Sequence, residues 1–299
     1  MKDFFKPVYL SMSKEDFEFK LNKSIGILSK CNLCPRKCNV NRCEGELGVC
    51  NSGINLRISS YGPHYGEEKE LVGKYGSGTI FFTNCNLKCI FCQNYDISHL
   101  GQGYEVTNEQ LSKIMLYLQN KGCHNINLVT PTHFMPQILQ SVHLAIKDGL
   151  KIPLVYNCGG YENLDSIKIL EGIVDIYMPD FKFGDNISAF KYIGVNDYFH
   201  RAKEVIKEMH KQGGDLKLDN DKIAKRGLII RHLLMPNNSS NPEKVLEFIS
   251  NEISKESYVN ILGQYRPCYK ANNFPEISRK LTRQEYLDCV NLSNKLIKY

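Results

Sequence analysis

Beyond about residue 78 the chain alternates short, nearly continuous apolar runs with longer stretches in which apolar residues recur every three or four positions. The short runs are TIFFT at 79–83, NINLVT at 125–130, IPLVYN at 152–157, IVDIYM at 173–178, GLIIRHLL at 227–234 and YVNILGQY at 258–265. Their length and their β-branched and aromatic content mark them as strands. Between the first two, VTNEQLSKIMLYLQNKG sets Leu111, Ile114, Met115 and Leu118 on one helical face, opens with a Thr107–Gln110 capping box and stops at Gly122. Later helices are expected to start at Asn241, with Pro242 in the first turn, and at Thr282, with Glu285 completing a second capping box. Strands regularly separated by helices make right-handed crossovers to parallel neighbours, and near-continuous apolar strands are covered on both faces. The pattern therefore predicts an α/β fold: a partial (β/α)6 barrel with parallel strands over residues 76–299, preceded by a small Cys-rich N-terminal lobe over 1–75.

With 42% hydrophobic and 23% charged residues in 299, the chain falls outside the disordered and fibrous classes. Its net charge of +6 is mild. The basic runs KRG and SRK lie among acids without interleaved aromatics, so a nucleic-acid partner is not expected. KYGSGT lacks the Lys-Ser or Lys-Thr ending of a phosphate loop and reads as the turn into the first strand. No apolar run approaches the roughly 18 to 20 residues of a membrane helix, and the opening MKDFFKPVYLSMSKEDF is too polar for a signal peptide. The expectation is a cytoplasmic protein with no membrane partner, in which 12 cysteines point to metal or redox chemistry instead of a disulfide framework.

The cysteines fall into two clusters and four singles. Cys123, Cys158, Cys268 and Cys289 stand alone and read as small buried hydrophobes. Cys85, Cys89 and Cys92 follow the first strand directly in C-x3-C-x2-C spacing, so three thiolates on one loop can close on one metal centre. Sulfur ligands favour zinc or an iron–sulfur cluster, and a structural zinc wants a closed set of four that the loop does not supply. A cubane held by three cysteines leaves one iron open, which is the logic of a reactive site. The second cluster, Cys31, Cys34, Cys38, Cys43 and Cys50, is dense among Pro and Gly turns and also reads as a metal site, compatible with zinc or a second iron–sulfur cluster.

The motif TNCNLKCIFCQN, with Phe91 just before its last cysteine, resembles the signature of the radical S-adenosylmethionine (SAM) superfamily. GEEKELVGKYGSGTIFFTNCNLKCIFCQN, VTPTH, YNCGGY, PDFKFG, RHLLMPN and QYRP together resemble the branch related to pyruvate formate-lyase activating enzymes, over nearly the whole chain. The resemblance implies a [4Fe–4S] cluster on Cys85, Cys89 and Cys92, SAM chelated at the open iron, and a reductant such as flavodoxin or ferredoxin. It further implies cleavage of SAM to a 5′-deoxyadenosyl radical that abstracts hydrogen from a substrate, either a glycine of a partner protein or another peptide or small molecule. The cofactors carry the chemistry, so no side chain is expected to serve as catalytic acid or base. A third possibility, of another class, is a non-catalytic iron–sulfur or zinc protein; the separate SAM-contact motifs argue against it.

In a β/α barrel the reacting groups belong at the C-terminal ends of the strands. There the resemblance assigns SAM contacts to Asn157 after the third strand, Asp180 and Lys182 after the fourth, and Arg231 in the fifth. Asp180 and Lys182 are two apart and so share one face of an extended chain. His232 should face the opposite way. Thr130-Pro131-Thr132-His133 stands where many superfamily members carry a Gly-Gly-Glu segment that meets the SAM amino group, making Thr132 and His133 candidates for that contact or for the substrate. Gln264, Tyr265 and Arg266 belong near the mouth without an assigned role. In the N-terminal set the resemblance covers Cys31, Cys34, Cys38 and Cys50, leaving Cys43 as an extra.

Overall fold

A computed structural model describes residues 5–298. Its strands are β1 (Leu56–His64), β2 (Ser77–Phe82), β3 (Tyr104–Val106), β4 (Ile126–Val129), β5 (Leu154–Cys158), β6 (Ile176–Pro179), β7 (Lys217–Leu218), β8 (Ala224–Leu233) and β9 (Tyr258–Leu262). β2, β4, β5, β6, β8 and β9 lie side by side in that order, every neighbouring pair parallel. These are the six apolar runs of the sequence, and together they form the partial (β/α)6 barrel. Three further strands extend the sheet: β1 pairs antiparallel with β2, β3 with the far side of β1, and β7 with β8.

The helices are α1 (Lys14–Gly26), α2 (Lys69–Val72), α3 (Tyr95–Ser98), α4 (Asn108–Asn120), α5 (Met135–Lys147), α6 (Leu164–Ile169), α7 (Asn186–Ile193), α8 (Tyr198–Gly213), α9 (Pro242–Phe248) and α10 (Arg283–Leu296). α4 carries the expected Thr107–Gln110 capping box, and its buried stripe includes Leu111, Ile114, Met115 and Leu118. α10 opens with the Thr282–Glu285 box. α9 has Pro242 in its first turn, but Asn241 adopts φ 49° and makes no capping bond.

The outer helices cover one face of the sheet, and a single large core runs from Tyr9, Phe17, Leu21, Leu28 and Leu33 of the N-terminal residues through the helix layer. The N-terminal segment is spread over the outside of the barrel: Tyr9 donates to the carbonyl of Ile152 (2.8 Å), and the Ser166 hydroxyl donates to that of Leu33 (2.9 Å). Inside the barrel, Leu71 of α2 packs with Val155, Ile176, Met178, Ala224 and Ile229 in a separate apolar cluster. This short helix stoppers the barrel toward the N-terminal ends of its strands and leaves the other end for the site. Among the described residues no helix is long and apolar enough to cross a membrane, and all twelve cysteines are free thiols.

Candidate metal and cofactor site

At the C-terminal ends of the strands lies a cavity of about 220 Å³ whose lining includes Cys85, Cys89 and Cys92 together with Asn157, Gly159, Asp180, Lys182 and Arg231. The cysteine loop leaves β2 through Asn84, which holds the left-handed conformation (φ 66°) that Asn tolerates better than most residues. The loop is tied down along its length. Asn84 donates from its amide side chain to the Asn51 carbonyl (3.0 Å), Asn86 to the Tyr161 carbonyl (2.6 Å), and the Ile90 N–H to the Tyr192 carbonyl (3.0 Å). Phe91 is buried against Phe183 and Tyr265, which turns the last cysteine of the motif toward the cavity side.

The thiols suit a cluster. Burial pushes the Cys85 thiol up to about 11 and Cys89 higher still, so without metal both are neutral, and binding a cation would release their protons. The sulfurs are provided with donors that favour thiolate: the Leu87 N–H reaches Cys85 Sγ (3.4 Å), and Ser98 Oγ lies 3.1 Å from Cys92 Sγ. Among the described residues no three His, Cys, Asp or Glu side chains converge as they would on a single ion. All three thiols nevertheless line the same cavity.

Facing the thiols is a compact ionic group. Asp180 accepts from Lys182 Nζ (2.6 Å) and from Arg231 Nε (2.9 Å), while Arg231 also reaches Asn157 Oδ1 (2.6 Å) and Glu67 Oε2 (3.3 Å). Burial works to raise the Asp180 pKa, but the charges of Arg231 and Lys182 outweigh it and hold the carboxylate at about 2. Burial likewise opposes the charge on Lys182 and Arg231, and Asp180 overcomes it, so both stay protonated. Glu67, half-buried beside Arg231, has its pKa raised by desolvation despite that partner. Gly160, just after β5, lets the backbone pass close against Asp180 at the end of β6. It has φ 73°, and a Cβ there would stand 2.4 Å from the Asp180 carbonyl oxygen. At Gly159 a Cβ would press on Leu87 at 2.8 Å, so the cysteine loop can approach β5 only because that position is bare.

Asn157, Asp180, Lys182 and Arg231 are thus brought together with Cys85, Cys89 and Cys92. Thr132 and His133 are not. Thr130 turns the chain with φ 62°, after which the Thr132 hydroxyl donates to buried Glu162 (2.8 Å) and His133 Nε2 lies against the Thr83 carbonyl (2.8 Å). Both sit behind the sheet, where burial holds His133 neutral with its pKa at about 3. His232 faces away from the cavity as expected, its Nδ1 against the Phe181 carbonyl (2.6 Å). Tyr265 is buried with its hydroxyl on the Ile277 carbonyl (2.7 Å), and Gln264 and Arg266 are exposed. Two further residues meet this group that no sequence motif marks. Glu67 enters from the barrel's other end, its only signal being the acidic run GEEKE before the first strand. Tyr198 braces the site from behind, its hydroxyl lying 3.0 and 2.8 Å from the Gly159 and Asp180 carbonyl oxygens, to which its one proton can be donated, and accepting from the Lys182 N–H (2.8 Å).

The N-terminal thiols form a second, much smaller cavity lined by Cys31, Cys34, Cys38 and Cys50 with Arg42, Gly48 and His133. Cys43 is exposed and is not part of it. A Cβ at Gly48 would stand 2.8 Å from Cys38 Sγ, and the Val49 N–H points at that sulfur from 3.4 Å.

Comparison with known proteins gives the family. The model of the radical SAM superfamily matches residues 79–249. The uncharacterized protein MJ0674 of Methanocaldococcus jannaschii is 34% identical over 306 residues, covering 98% of this chain and 82% of that protein. MJ0808 of the same organism is 24% identical, covering 89% and 81%. Among solved structures, that of TYW1 with a lysine-pyruvate adduct bound is similar in fold, with a TM-score of 0.50 at 14% identity, covering 79% of this chain and 76% of that one.

Proposed function

The chain belongs to the radical SAM superfamily, whose members use a [4Fe–4S] cluster and SAM, and from that membership we propose how its own residues divide the work. Cys85, Cys89 and Cys92 ligate the cluster. Bound there, it supplies the electron that cleaves SAM reductively to a 5′-deoxyadenosyl radical, which abstracts hydrogen from the substrate. Asp180 and Asn157 offer acceptor oxygens to the cofactor's ammonium and hydroxyl groups, while Lys182 and Arg231 offer donors to its carboxylate and ring nitrogens. A carboxylate kept ionised beside the thiols also suits a ligand that carries a sulfonium charge. Leu87, Phe81, Phe82 and Phe91 line the same cavity and exclude water from it. The observation that carries this reading is the single cavity into which the three thiols and the four polar side chains converge.

The substrate we propose is a glycine Cα–H of a partner protein, the reaction of the activating enzymes that the long motif run resembles, with flavodoxin or ferredoxin as reductant in the cytoplasm. We also assign Cys31, Cys34, Cys38 and Cys50 to a second metal, zinc or iron–sulfur; their shared cavity and the space kept open at Gly48 support it. Anaerobic reconstitution with iron and sulfide, followed by SAM and dithionite, should yield 5′-deoxyadenosine. Its absence from a protein that has taken up iron and sulfide would overturn the SAM-cleavage reading. A glycyl radical signal on a co-incubated partner supports the glycine assignment; 5′-deoxyadenosine without such a signal moves the substrate to another peptide or a small molecule.

A further inference from the structure

Three rings run from the cysteine loop to the surface. His99 Nε2 lies 3.0 Å from the carbonyl oxygen of Cys89. The His99 ring packs on Tyr269 with centroids 4.5 Å apart, and Tyr269 stacks on Tyr95 at 5.2 Å and 18°. Tyr95 is 39% exposed. Tyr269 holds φ 53°, a conformation an aromatic residue rarely adopts, and the next residue fixes it there: the Lys270 N–H donates to the Ile90 carbonyl in the cysteine loop (2.9 Å). The C-terminal segment is thus clamped onto the loop so as to seat one ring between two others.

The same face is cationic. Lys88 and Lys270 both lie near enough to His99 for their charges to act on its ring, and Lys270 Nζ sits 5.2 Å from the Tyr269 centroid. Neither lysine has a carboxylate partner among the described residues. The neighbouring acid, Asp96, accepts from the Ile97 N–H (2.9 Å). The other approaches to the loop are taken: its cavity side belongs to the proposed cofactor, and at Asn86 it is covered by Arg36, whose Nε donates to the Asn86 carbonyl (3.1 Å).

We propose that the face formed by Tyr95, Tyr269, Lys88 and Lys270 docks an acidic one-electron carrier protein, and that the electron enters through Tyr269 and His99. The inference rests on the cluster proposed at Cys85, Cys89 and Cys92. In the transfer the carrier loses one electron and the cluster gains it; no atom moves between them. Unpaired cations around an aromatic patch steer an acidic partner to this face, and the packed rings lead to the Cys89 carbonyl through His99.

The test compares reconstituted wild type with the Lys88→Glu/Lys270→Glu double variant, reading the bleaching of cluster absorbance in anaerobic stopped flow. The reductants are a low-potential bacterial flavodoxin in its hydroquinone form and, separately, titanium(III) citrate. Reduction of the double variant by flavodoxin should slow at least about tenfold at low salt, the wild-type rate should fall as salt rises, and titanium(III) citrate should reduce both equally. Tyr269→Leu should slow reduction even at saturating flavodoxin, where any loss of docking affinity is overcome. A wild-type rate in the double variant, or an equal loss in Lys113→Glu on the outer surface of α4, would overturn the proposal. Calorimetric titration of the metal-free chain with flavodoxin separates the two readings. If no cluster assembles, the assignment of the three thiols fails, while equal flavodoxin affinity in wild type and double variant is what defeats the docking face.

Discussion

Asp180→Ala removes the one carboxylate shared by Lys182, at 2.6 Å, and Arg231, at 2.9 Å. The structure sets the size of the effect. The two cations hold the Asp180 pKa at about 2 against an ordinary 3.8, and at about 1.4 kcal/mol for each pH unit that is about 2 kcal/mol of folding free energy at neutral pH. Because the folded value is the lower one, this contribution is present above 3.8 and is lost as pH falls toward 2. Truncation to Ala also strands Lys182 without an acid and leaves Arg231 with Asn157 and Glu67, so its total cost should be about 2 to 4 kcal/mol. Asp180→Asn keeps the volume and loses only the charge, which should cost about 2 kcal/mol. Urea unfolding of the metal-free chain at pH 7 measures both, and repeating it toward pH 3 should narrow the gap between wild type and the Asn variant by roughly half. With the cluster assembled, the Ala variant should bind SAM about tenfold or more weakly, the loss of one charge-assisted hydrogen bond, while the cluster spectrum stays intact. A change in stability below about 0.5 kcal/mol in both variants would refute the reasoning, since that is the behaviour of an exposed ion pair.

Replacing Cys85, Cys89 or Cys92 with Ala should abolish 5′-deoxyadenosine formation, because two thiolates do not secure a cubane; retained product in all three variants would remove them from the site. Cys34→Ala should lower total metal content and destabilise the N-terminal residues, whereas Cys43→Ala should do neither; equal loss in both would show that the wrong four ligands are chosen. Glu162, fully buried with its pKa raised by desolvation to about 7 from 4.5, holds its proton more tightly when folded. Wild-type stability should therefore fall by about 3 kcal/mol between pH 4.5 and 7.5 on its account, and Glu162→Gln should flatten that slope in urea titrations across the range.

The six barrel strands were legible because a parallel strand covered on both faces has no polar side to blur its apolar run. The three added strands were not. β1 contains Gly62-Pro63, which reads as a turn, and Pro63 is tolerated there in an antiparallel strand outside the barrel; β3 and β7 have three and two residues and leave no periodicity. That the cysteine loop lines one cavity was legible because its three cysteines are local in sequence, and that Asp180 and Lys182 meet there because strand alternation puts both on one face. Thr132 and His133 were misplaced for a definite reason. A strand end normally points into the barrel mouth, but Thr130 takes a positive φ that β-branched residues avoid, and the turn carries both side chains behind the sheet. Glu67 and Tyr198 were invisible because each reaches the site from an element distant in sequence, and nothing in local pattern records which buried carboxylate will meet Arg231.

The two groups of cysteines are less independent than their separation along the chain implies. Residues 83–86, which carry Cys85, are held by the N-terminal segment from several directions. Arg36 donates to the Asn86 carbonyl (3.1 Å) and to that of Gly194 (3.2 Å), and Asn84 donates to the Asn51 carbonyl (3.0 Å) and reaches Ser52 Oγ (3.2 Å). Arg42, wholly buried, donates to the His133 carbonyl (2.6 Å), and His133 in turn lies against the Thr83 carbonyl (2.8 Å). A buried guanidinium whose three nitrogens each donate to a backbone carbonyl, of Gly53 or His133, is costly to disturb, since each lost bond leaves an unpaired polar group in the core. A metal bound in the small cavity next to Arg42, as proposed, would act on folding through these bonds to the strand end and loop that present Cys85. The N-terminal residues thus do more than cap the barrel, because they fix the backbone from which the first thiol of the C-x3-C-x2-C loop projects.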